Sequence, residues 1–330
     1  MITTKPVMTC FPVTSPLPQS AFCRDVMKGL SAPQKKLDSK YFYDAVGDRL
    51  FQDLMNCKDY YPTQCELDIL SHQQSQIAQV IQQHLPGAFD LVELGAGDAT
   101  KSVHLLHQLI DNGNDYTYYP IDISSNVIAQ LEQELPLRVP GLHMQGLQGE
   151  YFNMLEAASE RSNRSKVVLF MGANIGNFTR EEARSFCKDL RARLQPGDLV
   201  MIGFDLKKHP LIILNAYNDQ QGITRAFNLN LLTRINRELG ADFNVDAFTH
   251  YAYYDPISGA CKSFLVSLEA QRVHIGERVF RFKQDECIDM EISLKYNQEE
   301  INQLAADSGF MPVQDFYDEK KWFVDCIWKV

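Results

Sequence analysis

Apolar runs of strand length alternate along this chain with stretches whose apolar residues recur at helical spacing. Five strand-like runs come in turn, at 89–94, 117–123, 142–147, 166–171 and 199–205. Helical patterns at 101–110, 124–135 and 180–194 separate most of them, and the last stops at Gln195-Pro196-Gly197-Asp198, a turn signal. Strands that alternate with helices predict an α/β fold, a parallel sheet covered on both faces. Near the end come a helix at 298–308, a run at 311–317, a polar turn and a run at 322–329. That order predicts a closing antiparallel hairpin.

Two regions break the alternation, 22–65 and 207–295. The second holds helical patterns at 210–222 and 228–239, then alternating strands at 263–269 and 290–296. The two regions are expected to pack together as a substrate-binding α+β domain built from discontinuous segments. Residues 66–206 and 296–330 then form the main sheet domain, and a cleft between the two is the natural ligand site. Residues 1–21, with Pro6, Pro12, Pro16 and Pro18, read as a loose lead-in.

Composition narrows the classes. With 330 residues, 45% hydrophobic and 22% charged, the chain reads as an ordinary globular protein. Its net charge of −10 repels phosphate backbones, so no nucleic acid partner is expected. No apolar run approaches the ~20 residues of a membrane helix, and no secretion signal opens the chain. Eight cysteines, none in C-x-x-C, read as free thiols in a reducing cytoplasm. A monomer is expected. His104 and His107 share a helix face but no third ligand lies nearby in sequence, so no metal site is expected.

The candidate chemistry starts where the first apolar run ends, at Glu93-Leu94-Gly95-Ala96-Gly97-Asp98-Ala99-Thr100-Lys101. A strand, a tight turn with Gly95 and Gly97 and a helix follow in the order that builds a nucleotide-cofactor site, with helix N–H groups aimed at the ligand. Thr100 stands where a dinucleotide fingerprint has its third glycine. With the closing hairpin, this points away from NAD and towards S-adenosylmethionine (SAM). Asp122, at the end of the second strand, can accept from both ribose hydroxyls, or cap the next helix. Glu150 and Tyr151 follow the third strand, where a carboxylate can meet the adenine amino group beside a flanking ring. Lys101 can hold the carboxylate of SAM or be an exposed helix lysine. Gly172-Ala173-Asn174-Ile175-Gly176-Asn177 follows the fourth strand, at the sheet edge where ligands bind. Its asparagines can meet an amino acid's ammonium or carboxylate, or simply make a turn. In Met290-Glu291-Ile292-Ser293-Leu294-Lys295-Tyr296 the alternation predicts an apolar face and a solvated polar face carrying Glu291, Ser293 and Lys295. The functional alternative is a two-point clamp, in which Glu291 accepts from a ring N–H and Ser293 donates to a second ring nitrogen. That suits an imidazole and fails an indole.

The motifs resemble those of the histidine-specific SAM-dependent methyltransferases of ergothioneine biosynthesis, which trimethylate the α-amino group of L-histidine. The marks are Lys40-Tyr41-Phe42-Tyr43-Asp44-Ala45-Val46-Gly47, Tyr60-Tyr61-Pro62-Thr63 with Glu66, the glycine turn, Ile175-Gly176-Asn177, Ala216-Tyr217-Asn218-Asp219, Ala226-Phe227-Asn228 with Asn230, and Arg237-Glu238-Leu239 with Ala241-Asp242-Phe243. The resemblance implies a class I, Rossmann-like SAM-dependent methyltransferase core with a second substrate domain. It implies that Gly95, Gly97, Lys101, Asp122, Glu150 and Tyr151 line the SAM site. Tyr60, Asn177 and Tyr217 would hold the backbone end of the amino acid, and Glu291 and Ser293 would read the imidazole. Tyr43, near the amine, and Asn177 are the catalytic candidates. Two departures bear on the substrate: Glu150-Tyr151 replaces the family's Asp-Phe, and Asn174 and Ser263 replace a Thr and a bulky Met.

Three other readings compete. One is N-methylation of another aromatic amino acid or of a histidine ring nitrogen. The second is a nicotinamide oxidoreductase, which Thr100 and the hairpin disfavour. The third is a catalytically silent SAM-binding protein, which the full set of site residues disfavours.

Overall fold

A computed structural model describes residues 20–330; the proline-rich lead-in lies outside the described residues except for its last two positions. The strands are β1 (Phe89–Leu94), β2 (Tyr116–Asp122), β3 (Leu147–Gln148), β4 (Ser165–Phe170), β5 (Leu199–Asp205), β6 (Phe248–Asp255), β7 (Ala260–Ser267), β8 (Gln271–Ile275), β9 (Arg278–Phe282), β10 (Cys287–Leu294), β11 (Met311–Tyr317) and β12 (Phe323–Lys329). Seven of them form one sheet of order β11-β12-β5-β4-β1-β2-β3. Its inner strands are parallel, and β12 runs antiparallel between β5 and β11.

Every residue of β1 is buried, as a strand covered on both faces requires. Phe89 and Leu91 enter one core with the helices Tyr61–His72, Gln74–His84 and Ser102–Asp111. Val92 and Leu94 enter the other with Tyr151–Arg161, Arg180–Ala192 and Gln298–Asp307. Capping boxes, Thr179 with Glu182 and Asn297 with Glu300, start the last two helices.

A third core joins distant segments. Phe22, Val26, Leu37 and Phe42 pack with Phe227, Leu231 and Ile235 of the helix Ile223–Leu239. Facing them are Phe248, Leu265 and Met290 of a three-stranded sheet, order β10-β7-β6, and Val273 and Phe280 of the β8–β9 hairpin.

Several sequence expectations change. The run at 142–147 is not a continuous strand. It meets β2 through a single bridge, Tyr118 to Met144, and the ladder resumes only at Leu147. The segment lies on an outer edge, with His143 and Gln145 exposed. The helix expected at 210–222 ends at Tyr217. The Asp219 carboxylate then accepts from the Ile223 and Thr224 N–H groups and starts a new helix. The polar face of β10 is not solvated: Ser293 is buried, and so is Lys295 just beyond the strand.

Candidate active site

The glycine turn lies where the topology requires. The N–H groups of Gly95 and Ala96 both donate to the Ile121 carbonyl, which holds the turn against the end of β2. Gly95 and Gly97 adopt φ of +76° and +54°, conformations that a Cβ disfavours. A Cβ on Gly95 would meet the Tyr151 hydroxyl and the Asn174 amide, whereas one on Gly97 would point into open space. The backbone there is therefore bare towards the cleft. The Gly97 N–H donates to Asp122 Oδ2 at 3.2 Å, and the Ser124 N–H donates to Oδ1 at 2.9 Å. Burial pushes the Asp122 carboxyl up, and these backbone N–H groups oppose it. Gly97, Asp122, Lys101, Asn174, Tyr43 and Tyr60 all line one cleft. A bare glycine backbone, a fixed carboxylate and a lysine fit SAM.

Lys101 is not an exposed helix lysine. Its ammonium pairs with Glu66, whose side chain is wholly buried. The other Glu66 oxygen accepts from the Gly172 N–H at 2.7 Å. Burial opposes the Lys101 charge, but Glu66 outweighs it and raises the pKa. Asp325 of β12 lies beside Glu66, and burial pushes its carboxyl far up. Glu66 thus ties the Lys101 helix to the loop after β4. Glu150 is exposed at the N-cap of the helix Tyr151–Arg161, while the Tyr151 ring packs edge-on against Phe170 at 5.7 Å.

The substrate candidates gather on the other side of Tyr60. Its ring meets Tyr217 edge-on at 6.1 Å. Tyr217 donates to Ser293 Oγ at 2.7 Å. Tyr43 sits between Phe51 and Phe227, at 5.5 and 5.6 Å, and burial keeps its phenol protonated. Glu291 is half-buried, and its carboxyl is pushed up to about 7 by burial, which the attraction of Lys295 only partly offsets. Asn177 ends the 3₁₀ turn Asn174–Asn177 and is exposed. That turn lies on β10: a Cβ on Gly176 would stand 2.8 Å from the Leu294 carbonyl and 3.5 Å from Ser293 Oγ. Ser263 pairs directly with Glu291 across the β7–β10 ladder, is 1% exposed, and its Oγ has no protein partner.

Sequence reasoning gave no role to Glu66, Asp205, Lys208 or Lys295. Asp205, at the end of β5, accepts from Tyr61, from Lys208 and, at 2.7 Å, from Lys295. Lys295 also donates to Tyr217 at 2.7 Å and to Ser293 at 2.8 Å. Burial pushes the Asp205 carboxyl up, but the two ammonium groups hold it below its ordinary value. A lysine alternating with Glu291 and Ser293 was the available signal, and it reads equally as a solvated charge.

The sheet order, its single antiparallel strand, the bare glycine turn and the acid at the end of β2 define a class I SAM-dependent methyltransferase. A family model described as "Histidine-specific methyltransferase, SAM-dependent" matches residues 22–330. The chain belongs to that family. The histidine N-alpha-methyltransferase of Mycolicibacterium smegmatis is 34% identical over 88% of this chain and 88% of its own length. The protein of the same name from Mycobacterium tuberculosis is 32% identical over 91% and 92%. Among solved structures, the CcbJ methyltransferase of Streptomyces caelestis aligns over 78% of this chain and 95% of its own, at 11% identity and a TM-score of 0.44.

Proposed function

We propose that this enzyme methylates the α-amino nitrogen of L-histidine, repeatedly, to Nα,Nα,Nα-trimethylhistidine. One observation carries the reading: Glu291 and Ser293 alternate on one strand, enclosed with Tyr43, Tyr60 and Tyr217, next to a SAM cleft. An acceptor and a donor at that spacing complement the two nitrogens of an imidazole. The family match and the names of the relatives support the same substrate.

Gly97, Asp122 and Lys101, the last positioned by Glu66, would hold the cofactor, which when bound supplies an activated methyl group. Tyr60, Tyr217 and Asn177 would hold the backbone end of the amino acid. Fixing the amine in line contributes up to ~7–11 kcal/mol to such a step. The amine must present a lone pair, and Tyr43 would relay its proton to solvent as a neutral hydroxyl, donating its own proton as it accepts the amine's, since its phenolate is strongly disfavoured. The segments 22–65 and 207–295 would serve as the substrate domain. A cytoplasmic location fits the seven cysteines among the described residues, all of which are free. No helix among those residues is long and apolar enough to cross a membrane.

The test is incubation with SAM and each of the twenty common amino acids, read by mass spectrometry. Histidine should gain three methyl groups, all on the α-nitrogen by NMR. Preference for an indole amino acid, or a methyl on a ring nitrogen, would overturn the reading.

A further inference from the structure

The network beneath Tyr217 and Ser293 has a donor count that leaves little freedom. An ammonium has three N–H donors and no acceptor. Lys295 is fully buried, and three acceptors surround it: Asp205 Oδ2 at 2.7 Å, Tyr217 Oη at 2.7 Å and Ser293 Oγ at 2.8 Å. Tyr217 donates its own proton to Ser293, the direction expected when a phenol, the stronger acid, meets an alcohol. Ser293 Oγ therefore accepts twice and has no lone pair left. Its own proton is all it can offer. If the Tyr217–Ser293 bond were reversed, Ser293 would accept from Lys295 alone and keep a free lone pair, so the lock depends on Tyr217 being the donor.

We propose that Lys295 is a positioning residue that locks Ser293 as a hydrogen-bond donor, so that the ring subsite takes a neutral imidazole in one tautomer and rejects the imidazolium. The proposal rests on the histidine reading above. An imidazolium offers N–H at both nitrogens, and one of them would face the Ser293 O–H with nothing to accept it. Such an unmet buried pair is costly.

Charge points the same way. Asp205 offsets one of the two ammonium groups, Lys208 and Lys295, and Glu291 offsets the other only when ionised. Below about 7 burial keeps the proton on Glu291 and the pocket carries excess positive charge, so at pH 6 a further positive charge on the ring is disfavoured. Asp122 acts on Tyr43 and Asp255 on Tyr254 from further out, and the nearer titratable groups are uncharged. Tyr43, Tyr60, Tyr217 and Cys261 face Glu291, while Tyr61 and Tyr254 face the ion pairs. Burial pushes the pKa of each of them up.

The experiment uses ring-¹⁵N-labelled L-histidine bound to the S-adenosylhomocysteine complex. NMR then distinguishes a pyridine-type from a pyrrole-type nitrogen, and both from an imidazolium. In the parent protein the bound ring should stay neutral, in a single tautomer, at pH 6, below the ~6.5 at which a free ring protonates. Lys295→Met removes the charge and frees a lone pair on each hydroxyl. Its bound ring should lose the fixed tautomer, becoming imidazolium or exchanging between tautomers. Binding of S-adenosylhomocysteine reports whether the variant is folded. If it is not, Tyr217→Phe, which frees a Ser293 lone pair without changing charge, should release the tautomer in the same way. The same neutral tautomer in parent and folded variants overturns the role of Lys295 while leaving the substrate reading intact. An imidazolium in the parent overturns the donor lock. Absence of any histidine binding by the parent removes both readings together.

Discussion

Glu291→Gln should stabilise the free enzyme and weaken histidine binding at once. In the folded protein the Glu291 carboxyl is pushed up to about 7, from an ordinary 4.5, because burial outweighs the pull of Lys295. A folded-state pKa raised for an acid is a cost of ionisation. Below pH 4.5 the group is protonated in both states and contributes nothing. Between 4.5 and 7 the unfolded chain gives up the proton and the folded one keeps it, so the cost grows; above about 7 it is complete. The shift corresponds to at most roughly 3 kcal/mol, a ceiling because the half-buried side chain keeps some contact with solvent. For a chain of 330 residues that is a gain of up to roughly 4 °C in Tm for the glutamine variant at pH 8, fading to none near pH 4.5. Histidine affinity should fall at the same time, because a hydrogen bond to a charged acceptor contributes ~1.5–3 kcal/mol and one to the neutral amide oxygen that replaces it only ~0.5–1.5 kcal/mol. The difference is a loss of roughly 5- to 10-fold at pH 8, with S-adenosylhomocysteine affinity unchanged. Scanning calorimetry across pH and isothermal titration with both ligands measure the two effects. A Tm gain that does not depend on pH, or a glutamine variant that binds histidine as the parent does, would refute the assignment of Glu291 as a buried acceptor for the ring.

Other outcomes test the rest of the site. Gly97→Ala should cost only ~1–2 kcal/mol of stability, the strain of a left-handed residue, because the added Cβ meets no protein atom. It should nevertheless weaken S-adenosylhomocysteine by ~10-fold or more in titration, since the added methyl occupies the open space through which the cofactor approaches the backbone. Glu66→Gln removes one member of the buried pair with Lys101. It should lower Tm by roughly 4–7 °C, for a loss of ~3–5 kcal/mol, and weaken S-adenosylhomocysteine; an unchanged Tm would show that Lys101 does not need its partner. Ser263→Ala deletes a buried hydroxyl with no protein partner and should leave Tm equal or raise it slightly, by up to ~1 kcal/mol of stability. A clear fall in Tm would mean that the hydroxyl is satisfied in solution.

The cofactor half was legible in the sequence because it is local. The glycine turn, the acid ending β2 and the helix after the turn lie in consecutive elements, and periodicity marks each one. Strands β1, β5 and β11 came out at their observed bounds because their burial is continuous or their flanking turns are sharp. The proposed ring subsite was harder to read. Alternation in Glu291, Ser293 and Lys295 is the same whether the polar face meets water or a second core, and only the packing of distant segments decides. Asp205 reads as the last residue of an apolar strand, yet its carboxylate joins two lysines from separate parts of the chain. Glu66 was legible only through the family resemblance, and nothing local shows that it holds Lys101. The β8–β9 hairpin and β6 went unread because their residues alternate too irregularly to stand out from the surrounding loops.

The positions of those buried charges explain how two sheets can present one site. Asp122 and Asp205 both end strands of the large sheet, at the carboxyl edge where open α/β sheets bind ligands. Strand β10 belongs to the other sheet but does not hang free from it. The Tyr296 N–H donates to the Asp205 carbonyl at 3.0 Å, and the Lys207 N–H donates to the Tyr296 carbonyl at 2.8 Å. Lys295, one residue earlier, adds its side-chain bond to the Asp205 carboxylate. Gly176 lets the loop after β4 close on the Leu294 backbone. The chain that carries Glu291 and Ser293 is therefore fastened to the edge of the cofactor sheet by backbone and by charge. A substrate ring gripped there is held at a fixed remove from the glycine turn, so a longer or wider side chain displaces its amine rather than the enzyme.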